Sequence, residues 1–482
     1  MGKKRIEGRN NLDRCCEIGL VGLGVMGKNL VLNMASHRFS VAVYNRTAEK
    51  TREFVEHEST GQKVFAGYTL EEFIGLLNKP RAILIMVKAG APVDAVIEEI
   101  LPLLEPADLM IDGGNSHFSD TDRREKRVKE KGVLYLGMGI SGGEYGARHG
   151  PSMMPGGSKE AYERVRPILE AAAAKIDGEP CVTYLGSGSA GHYVKMVHNG
   201  IEYGIMELIA ETYDLMKRGL GLTNDELHSV YDRWNQKELS SYLMEITAKI
   251  FLQPDDRTGK RLIDMILDQA KQKGTGKWTS LEAMDLQIPT PTIDAAVIAR
   301  DLSGHKAERE EASQVLRGPK AGFQGDRKKF IDQIENALYA SMMITYAQGF
   351  SLLQGASTAH RYGLNLEAVA RIWRGGCIIR AALLEDIRRA YQNRPDLFSL
   401  LLDPHLGQAL MDRQAILRQV VLTAAELGLP APALMVTLAY FDAYRSAWLP
   451  ANLTQAQRDY FGAHTYERVD QKGVFHTEWD SP

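Results

Sequence analysis

In the stretch "KMVHNGIEYG" at residues 195–204, four polar groups stand where a helix ordinarily keeps its apolar stripe. Lys195, His198, Asn199 and Glu202 follow i, i+3, i+4, i+7 spacing. An amine, an imidazole, an amide and a carboxyl group on one face are either a wet outer face or a row of chemically useful groups turned inward. The plainest alternative is a solvated face, since Val194, Val197, Ile201 and Ile205 form an apolar face beside it. Continued in the same steps, the stripe reaches Met206, Ile209 and Tyr213, while Glu207, Glu211 and Asp214 fall on another side. A face that turns apolar one turn later is expected to be enclosed. We therefore read Lys195, His198 and Glu202 as facing a cleft whose desolvation and mutual charges shift their proton affinities. Ser189 is the expected N-cap of this helix and Gly219 its stop.

The elements that position this helix fall into two blocks. From residue 17 to 188, short apolar runs ("EIGLV", "SVAVYN", "RAILIMV", "DLMIDGG", "VLYLGMGI") alternate with helical patterns, which indicates an α/β Rossmann-type doubly wound parallel sheet. From 189 to 447 strand patterns nearly vanish, giving a large all-α domain expected to serve substrate binding and dimerisation. Residues 448–482 form a polar, aromatic tail too short for a core of its own, which must drape over this subunit or another. Residues 1–16 are a basic extension without the apolar stretch of a secretory leader, and disorder is expected there.

The first strand runs into "GLGVMG". Gly22, Gly24 and Gly27, with Leu23, Val25 and Met26 between them, have the spacing of a dinucleotide turn: one glycine for the turn, one for pyrophosphate approach, one for helix–strand packing. The second strand ends in Asn45, Arg46 and Thr47, where a cofactor with a free ribose hydroxyl calls for an acid. A guanidinium there pairs with a 2′-phosphate, so the expected cofactor is NADP rather than NAD.

Composition narrows the class. Lys and Arg number 58 against 61 acids, net −3, which argues against a surface built to grip nucleic acid or anionic lipid. The 44% hydrophobic content is ample for two or three domains, and no apolar run of membrane-spanning length occurs. The four cysteines, Cys15, Cys16, Cys181 and Cys377, have neither metal-ligand nor disulfide spacing, which favours a reducing, cytoplasmic setting.

Three further loops crowd polar groups with glycine. "DGGNS" places Asn115 after a strand end, "GISGGEYGARHGPSMMPGG" offers Ser141 and the flexible backbone of Gly142 and Gly143, and "KQKGTGKWT" sets Lys273 and Thr275 around Gly274. Together with "GLVGLGVMGKNL", "NRT", "VKAG", "GHYVKMVHNGIEYG" and "QAQRDYFGAHTYE", these stretches resemble the 6-phosphogluconate dehydrogenase family, a decarboxylating branch of the β-hydroxyacid dehydrogenases belonging to the pentose phosphate pathway. The likeness runs from about residue 17 to the C-terminus.

The resemblance implies oxidation of 6-phospho-D-gluconate at C3 by NADP, loss of CO₂ and release of ribulose 5-phosphate, with no metal. It implies Lys195 as general base and then acid, and Glu202 as the acid that protonates C1 of the enediol. Asn115, Ser141, Gly142, Gly143, His198 and Asn199 would hold the sugar acid. Tyr203, Lys273, Thr275, Arg300, Arg458 and His464 would hold the phosphate end, the last two coming from the other subunit of a homodimer. Val87, Lys88 and Ala89, after the third strand, would lie with Asn115 near the cofactor. The family commonly has Ala at Gly24 and Asp at Ile205. A β-hydroxyacid dehydrogenase for a smaller substrate, or an NADP-binding protein without catalysis, would share the nucleotide fold. The cluster Lys273, Thr275, Arg300 and Arg458 argues against the first, and the pairing of Lys195 with Glu202 against the second.

Overall fold

Short, largely apolar runs, most of them followed by a glycine- or asparagine-bearing loop, build the first unit. The computed structural model describes residues 16–319 and 322–479 of the 482, so most of the N-terminal extension, Cys15 included, lies outside the described residues. Strands β1 (Ile18–Val21), β2 (Val41–Tyr44), β3 (Val64–Ala66), β4 (Ala82–Ile85), β5 (Leu109–Asp112), β6 (Leu134–Ser141) and β7 (Ser152–Gly157) form one sheet of order β3-β2-β1-β4-β5-β6-β7. Neighbours pair in parallel except β7, which runs antiparallel to β6. Strands β1, β4 and β5 are buried along their whole length, as strands covered by helices on both faces must be. Strand order reverses between β1 and β4, which opens the crevice at the carboxyl ends where such sheets take ligands.

Two strands of this sheet have no clear strand pattern in the sequence. β3 is short, and β7 is spelled "SMMPGG", which has the composition of a loop. The stretch expected to be a flexible glycine loop is instead the end of β6, a short helix (Gly143–His149) and β7. Pro155 and the two glycines are tolerated because β7 is the last strand of the sheet. Its outer edge is bonded by the connector that follows, with Met153 N donating to Cys181 O and Leu185 N to Pro155 O.

The helix Ala190–Asp214 carries the chain from the sheet into the helical unit. Its first turn lies on β6 and β7 so closely that a Cβ on Gly191 would fall 2.2 Å from Gly137 O and 2.3 Å from Met154 O. Ser189 stands at the N-cap as expected, but its side chain does not bond the first turn: its hydroxyl donates to Asp122 and pairs with Tyr362, tying the sheet unit to the helical unit. The helix ends through a wide π turn, Leu215–Gly219, so Gly219 does mark the stop. The long helix Arg327–Ala359 packs along it as the centre of a core that includes Trp234, Tyr346, Phe350 and Trp373.

Glu211, on a different side of the helix from the polar stripe, is buried, and its carboxylate accepts from the N–H groups of Ala433 and Leu434 at 2.6 and 2.8 Å. Those are orphan donors at the start of the helix Pro432–Tyr444. The tail forms a helix (Ala451–Gly462) and a small hairpin wrapped on buried Asp459, which accepts from Thr465 N, Thr477 N and Trp479 Nε1. Among the described residues no helix is long and apolar enough to cross a membrane. Glu211→Ala, which strands two buried donors, is expected to lower unfolding free energy by about 1–3 kcal/mol. Urea denaturation checks this, and an unchanged midpoint would contradict the anchoring role.

Candidate active site

Three loops meet at the carboxyl ends of β1, β4 and β5. Gly22, at φ +104°, turns so tightly beneath the loop after β4 that a Cβ would stand 2.5 Å from Met86 O and 2.9 Å from Val87 Cγ1. A Cβ on Gly27 would stand 2.0 Å from Gly22 O, which closes helix Val25–Ser36 onto β1. Gly24 faces open space and caps that helix without a side chain, so the first-turn N–H groups are left for a diphosphate. Leu23 N donates to Asn45 Oδ1 at 3.1 Å and Asn45 Nδ2 to Thr47 O at 3.2 Å, fastening the glycine turn to the end of β2. Val25 is exposed and Met26 partly so beside the turn. Arg46 is exposed and has no ion pair among the described residues. These residues fit a dinucleotide bearing a 2′-phosphate. Lys88 and Asn115 are exposed on the neighbouring loops, with Val87 and Ala89 half-buried.

The helix Ala190–Asp214 delivers the reactive groups. Lys195 is 6% exposed, and its stem occupies the space a side chain on β6 would need: a Cβ on Gly139 would fall 2.2 Å from Lys195 Cβ and 2.8 Å from Cγ. Lys195 Nζ lies 3.4 Å from His198 Nδ1. That imidazole is buried edge-on against Trp373, with Nε2 3.2 Å from Ser141 Oγ and Nδ1 3.0 Å from Asn199 Oδ1. Because the amide oxygen only accepts, we assign the proton to Nδ1 and let Ser141 donate to Nε2. Glu202, 21% exposed at its side chain, approaches His198 Nδ1 to 3.8 Å. Ser141 also accepts from Ile378 N at 3.4 Å.

Burial dominates the electrostatics. It lowers the Lys195 ammonium below the ordinary lysine range, opposed by the charge of Glu202. It raises the Glu202 carboxyl, opposed by Lys195 and Arg300. It pushes His198 well down, and Lys195 adds to that, so the imidazole stays neutral. A desolvated amine and a desolvated carboxyl thus stand about two turns apart on one face of the helix, each influenced by the other's charge. The neutral His198 between them orients rather than charges the site.

The phosphate-end candidates separate into two groups. Tyr203, Thr275 and Arg300 come together: the Arg300 guanidinium lies 3.4 Å from the centroid of the Tyr203 ring, and that ring fills the space beside Gly276. Helix Thr275–Asp285 is bolted to the helix of Lys195 by Thr279 Oγ1 donating to Met196 O at 2.9 Å. Gly274 turns into it at φ +101°, and Lys273 is exposed just before. Arg458 and His464 stay apart, exposed on the tail, where Arg458 bonds Gln455 and His464 lies against Phe461. Gly142 and Gly143 follow Ser141 in left-handed conformations, Gly142 capping the short helix.

The enclosure has a different cause from the one expected. Met206, on the supposed apolar continuation of the stripe, is 42% exposed. What covers Lys195 and His198 is β6 on one side and the segment 374–380, "RGGCIIR", on the other. Gly376 O accepts from Ser152 N, Tyr346 donates to Ile379 O, and Cys377 is buried near Lys195. The glycine pair inside a helical region was the available signal, and it went unread.

A glycine-turn sheet feeding a buried amine and carboxyl on one helix defines a two-domain nicotinamide-dependent dehydrogenase. The chain belongs to the 6-phosphogluconate dehydrogenase family: residues 17–186 match the NAD binding domain of 6-phosphogluconate dehydrogenase and residues 191–479 its C-terminal domain. It is similar to the decarboxylating 6-phosphogluconate dehydrogenase of Synechococcus elongatus, 56% identical over 96% of this chain and 99% of that one. The NADP(+)-dependent decarboxylating enzyme of Bacillus subtilis is 54% identical, with the same coverage. The Plasmodium falciparum 6-phosphogluconate dehydrogenase, solved in its apo form and in complexes with NADP+ and 6-phosphogluconate, superposes with a TM-score of 0.93. It is 48% identical, over 96% of this chain and 100% of that one. Arg46→Glu is expected to weaken NADP binding by roughly ten- to a hundredfold, as loss of a charged hydrogen-bonded contact of about 1.5–3 kcal/mol requires, while NAD binding improves or holds. Titration with both nucleotides decides it, and a mutant that keeps its NADP preference contradicts the role of Arg46.

Proposed function

We propose that the chain catalyses the NADP-dependent oxidative decarboxylation of 6-phospho-D-gluconate to D-ribulose 5-phosphate and CO₂. The observation that carries this is the buried Lys195, lodged on Gly139, with Glu202 about two turns further along the same helix face. NADP, when bound along the Gly22–Gly27 turn with Arg46 on its 2′-phosphate, supplies the hydride acceptor. Neutral Lys195 takes the proton of the C3 hydroxyl as the hydride leaves. The lysine then returns that proton to the ketone oxygen as the bond to the carboxylate breaks, which gives the departing electron pair somewhere to go. Glu202 protonates the enediol carbon that becomes C1. Positioned proton transfers of this kind contribute ~10²–10⁴ in rate each.

The sugar acid is held by Asn115, Ser141, Gly142, Gly143, His198 and Asn199, and the phosphate by Tyr203, Lys273, Thr275 and Arg300. Val87, Lys88 and Ala89 line the cofactor beside Asn115. The working unit is a homodimer in which Arg458 and His464 of the tail complete the partner's site. The exposed Leu453, Tyr460 and Phe461 of the tail support this, since a lone subunit would leave that apolar surface wet. Residues 17–188 act as the cofactor domain, 189–447 as the substrate and dimerisation domain, and 448–482 as the exchanged tail. The buried Cys181 and Cys377 suit a reducing cytoplasm.

Mixing the protein with NADP and 6-phosphogluconate should yield reduced nicotinamide and CO₂ in equal amounts. Reduced cofactor without CO₂ would point to a non-decarboxylating relative. Lys195→Met should cut turnover by at least ~10²-fold while calorimetry still detects substrate binding, and an active variant refutes the base assignment. The pair must hold one proton to act. With Lys195 lowered and Glu202 raised, activity falls at low pH when both are protonated and at high pH when both are bare. In Glu202→Gln only the lysine titrates, so the residual rate of hydride transfer should rise with pH and show no alkaline limb.

A further inference from the structure

Arg124 is the largest buried charge of the sheet unit, 1% exposed, and it touches none of the groups assigned to chemistry. It sits on the helix Phe118–Lys129, which follows the Asn115 loop. Its donors divide between two strand–helix junctions, the one after β4 with the helix Ala91–Ile100 and the one at the end of β5. Nε and Nη2 grip Asp94 at 2.9 and 3.1 Å, and Nη2 also donates to Gly90 O at 3.0 Å, all on the segment that follows Val87–Ala89. Nη1 donates to Ser116 Oγ at 3.0 Å and to Asp112 Oδ2 at 3.2 Å, on the segment that carries Asn115. Asp112 in turn accepts from Gly114 N at 3.0 Å, Ser116 Oγ at 2.7 Å and Tyr135 OH at 3.3 Å, so the Asn115 loop is bonded to it at both ends. The two loops already touch, for a Cβ on Gly114 would lie 3.4 Å from Val87 O.

Stability alone is a weak reason for such a cluster. Burying a guanidinium between carboxylates is costly, and well-packed apolar replacements of such groups are often neutral or stabilising. What a planar five-donor fork does, and an apolar or ammonium group cannot, is hold several acceptors at fixed mutual angles. We propose that Arg124 is a positioning residue that staples the cofactor loop 86–90 to the substrate loop 113–116. It thereby sets the distance between the nicotinamide and C3 of the sugar acid. This rests on the functional reading above for what each loop holds. Hydride transfer is steep in distance, and a misplacement of about 1 Å can cost ~10²-fold in rate.

The test compares Arg124→Met, Arg124→Lys and Ser116→Ala, the last a small neutral change that keeps the fold even if the arginine variants do not express. Kinetics use 6-phosphogluconate with protium or deuterium at C3, and hydrogen exchange follows the loops at 86–90 and 113–116. The expected result is a fall in kcat of ~10-fold or more for the arginine variants and less for Ser116→Ala, following how far the reacting atoms are displaced. The deuterium isotope effect on kcat should rise in each, with KM for both substrates changed little and exchange faster in both loops only. Arg124→Lys should resemble Arg124→Met, because it keeps the charge and loses the fork. Wild-type isotope effects and exchange in Ser116→Ala and in whichever arginine variants fold would overturn the proposal. So would a loss confined to KM. A wild-type protein inert towards 6-phosphogluconate would instead defeat the functional reading, and the exchange measurement would still decide whether Arg124 joins the loops.

Discussion

A lysine stem packed against bare strand backbone is the constraint on which the rest depends. At Gly139 there is no side chain, so Lys195 can lie on β6 with its amine out of water. An amine held there loses hydration it would need as an ammonium, and its proton affinity drops for that reason before any partner is considered. The price of that arrangement is contact without tolerance: any residue larger than glycine at 139 collides with the lysine stem. The same logic repeats along the helix, where Gly191 meets the backbone of β6 and β7 and Gly200 meets Thr279. Close approach by glycine is how a helix rooted in one unit becomes a wall of the cleft between two.

The second consequence is a division of environments along about two turns of one helix face. Lys195 and His198 are sealed by β6 and the segment 374–380, while Glu202 retains partial access to solvent. Burial moves the amine down and the carboxyl up, and their mutual attraction opposes both movements. A pair tuned in this way shares one proton readily, which suits a reaction needing a base first and an acid afterwards. Arg300, stacked on Tyr203, adds positive charge on the Glu202 side and prepares that end for an anion.

Local patterns made much of this legible. The glycine turn, the alternating strands and the stripe at 195–202 are encoded within windows of a dozen residues, and the structure places them as read. Features set by distant partners were not legible. The loop-like "SMMPGG" becomes a strand because β6 and residues 181–185 offer ladders on both sides. Nothing near Glu211 in sequence announces its partners, the N–H groups of Ala433 and Leu434, 222 and 223 residues downstream. Met206 continues an apolar stripe yet stays open in the single chain, so enclosure was inferred correctly from a wrong cause. Ile205, which departs from the family's usual acid, simply joins the helical core. Among the described residues Arg458 bonds Gln455 and His464 lies against Phe461, both on the tail, so the site proposed for them calls for a second subunit.

The account stands most directly on the proton affinity of one amine. Competitive acylation of the protein across pH, read peptide by peptide by mass spectrometry, would titrate Lys195 against the exposed lysines. The expected midpoint lies below that of ordinary lysines, and it should fall further in Glu202→Gln, because the carboxylate charge is what holds it up. A Lys195 that titrates like a surface lysine, or that ignores the loss of Glu202, would contradict the claim that desolvation on β6 makes it the base.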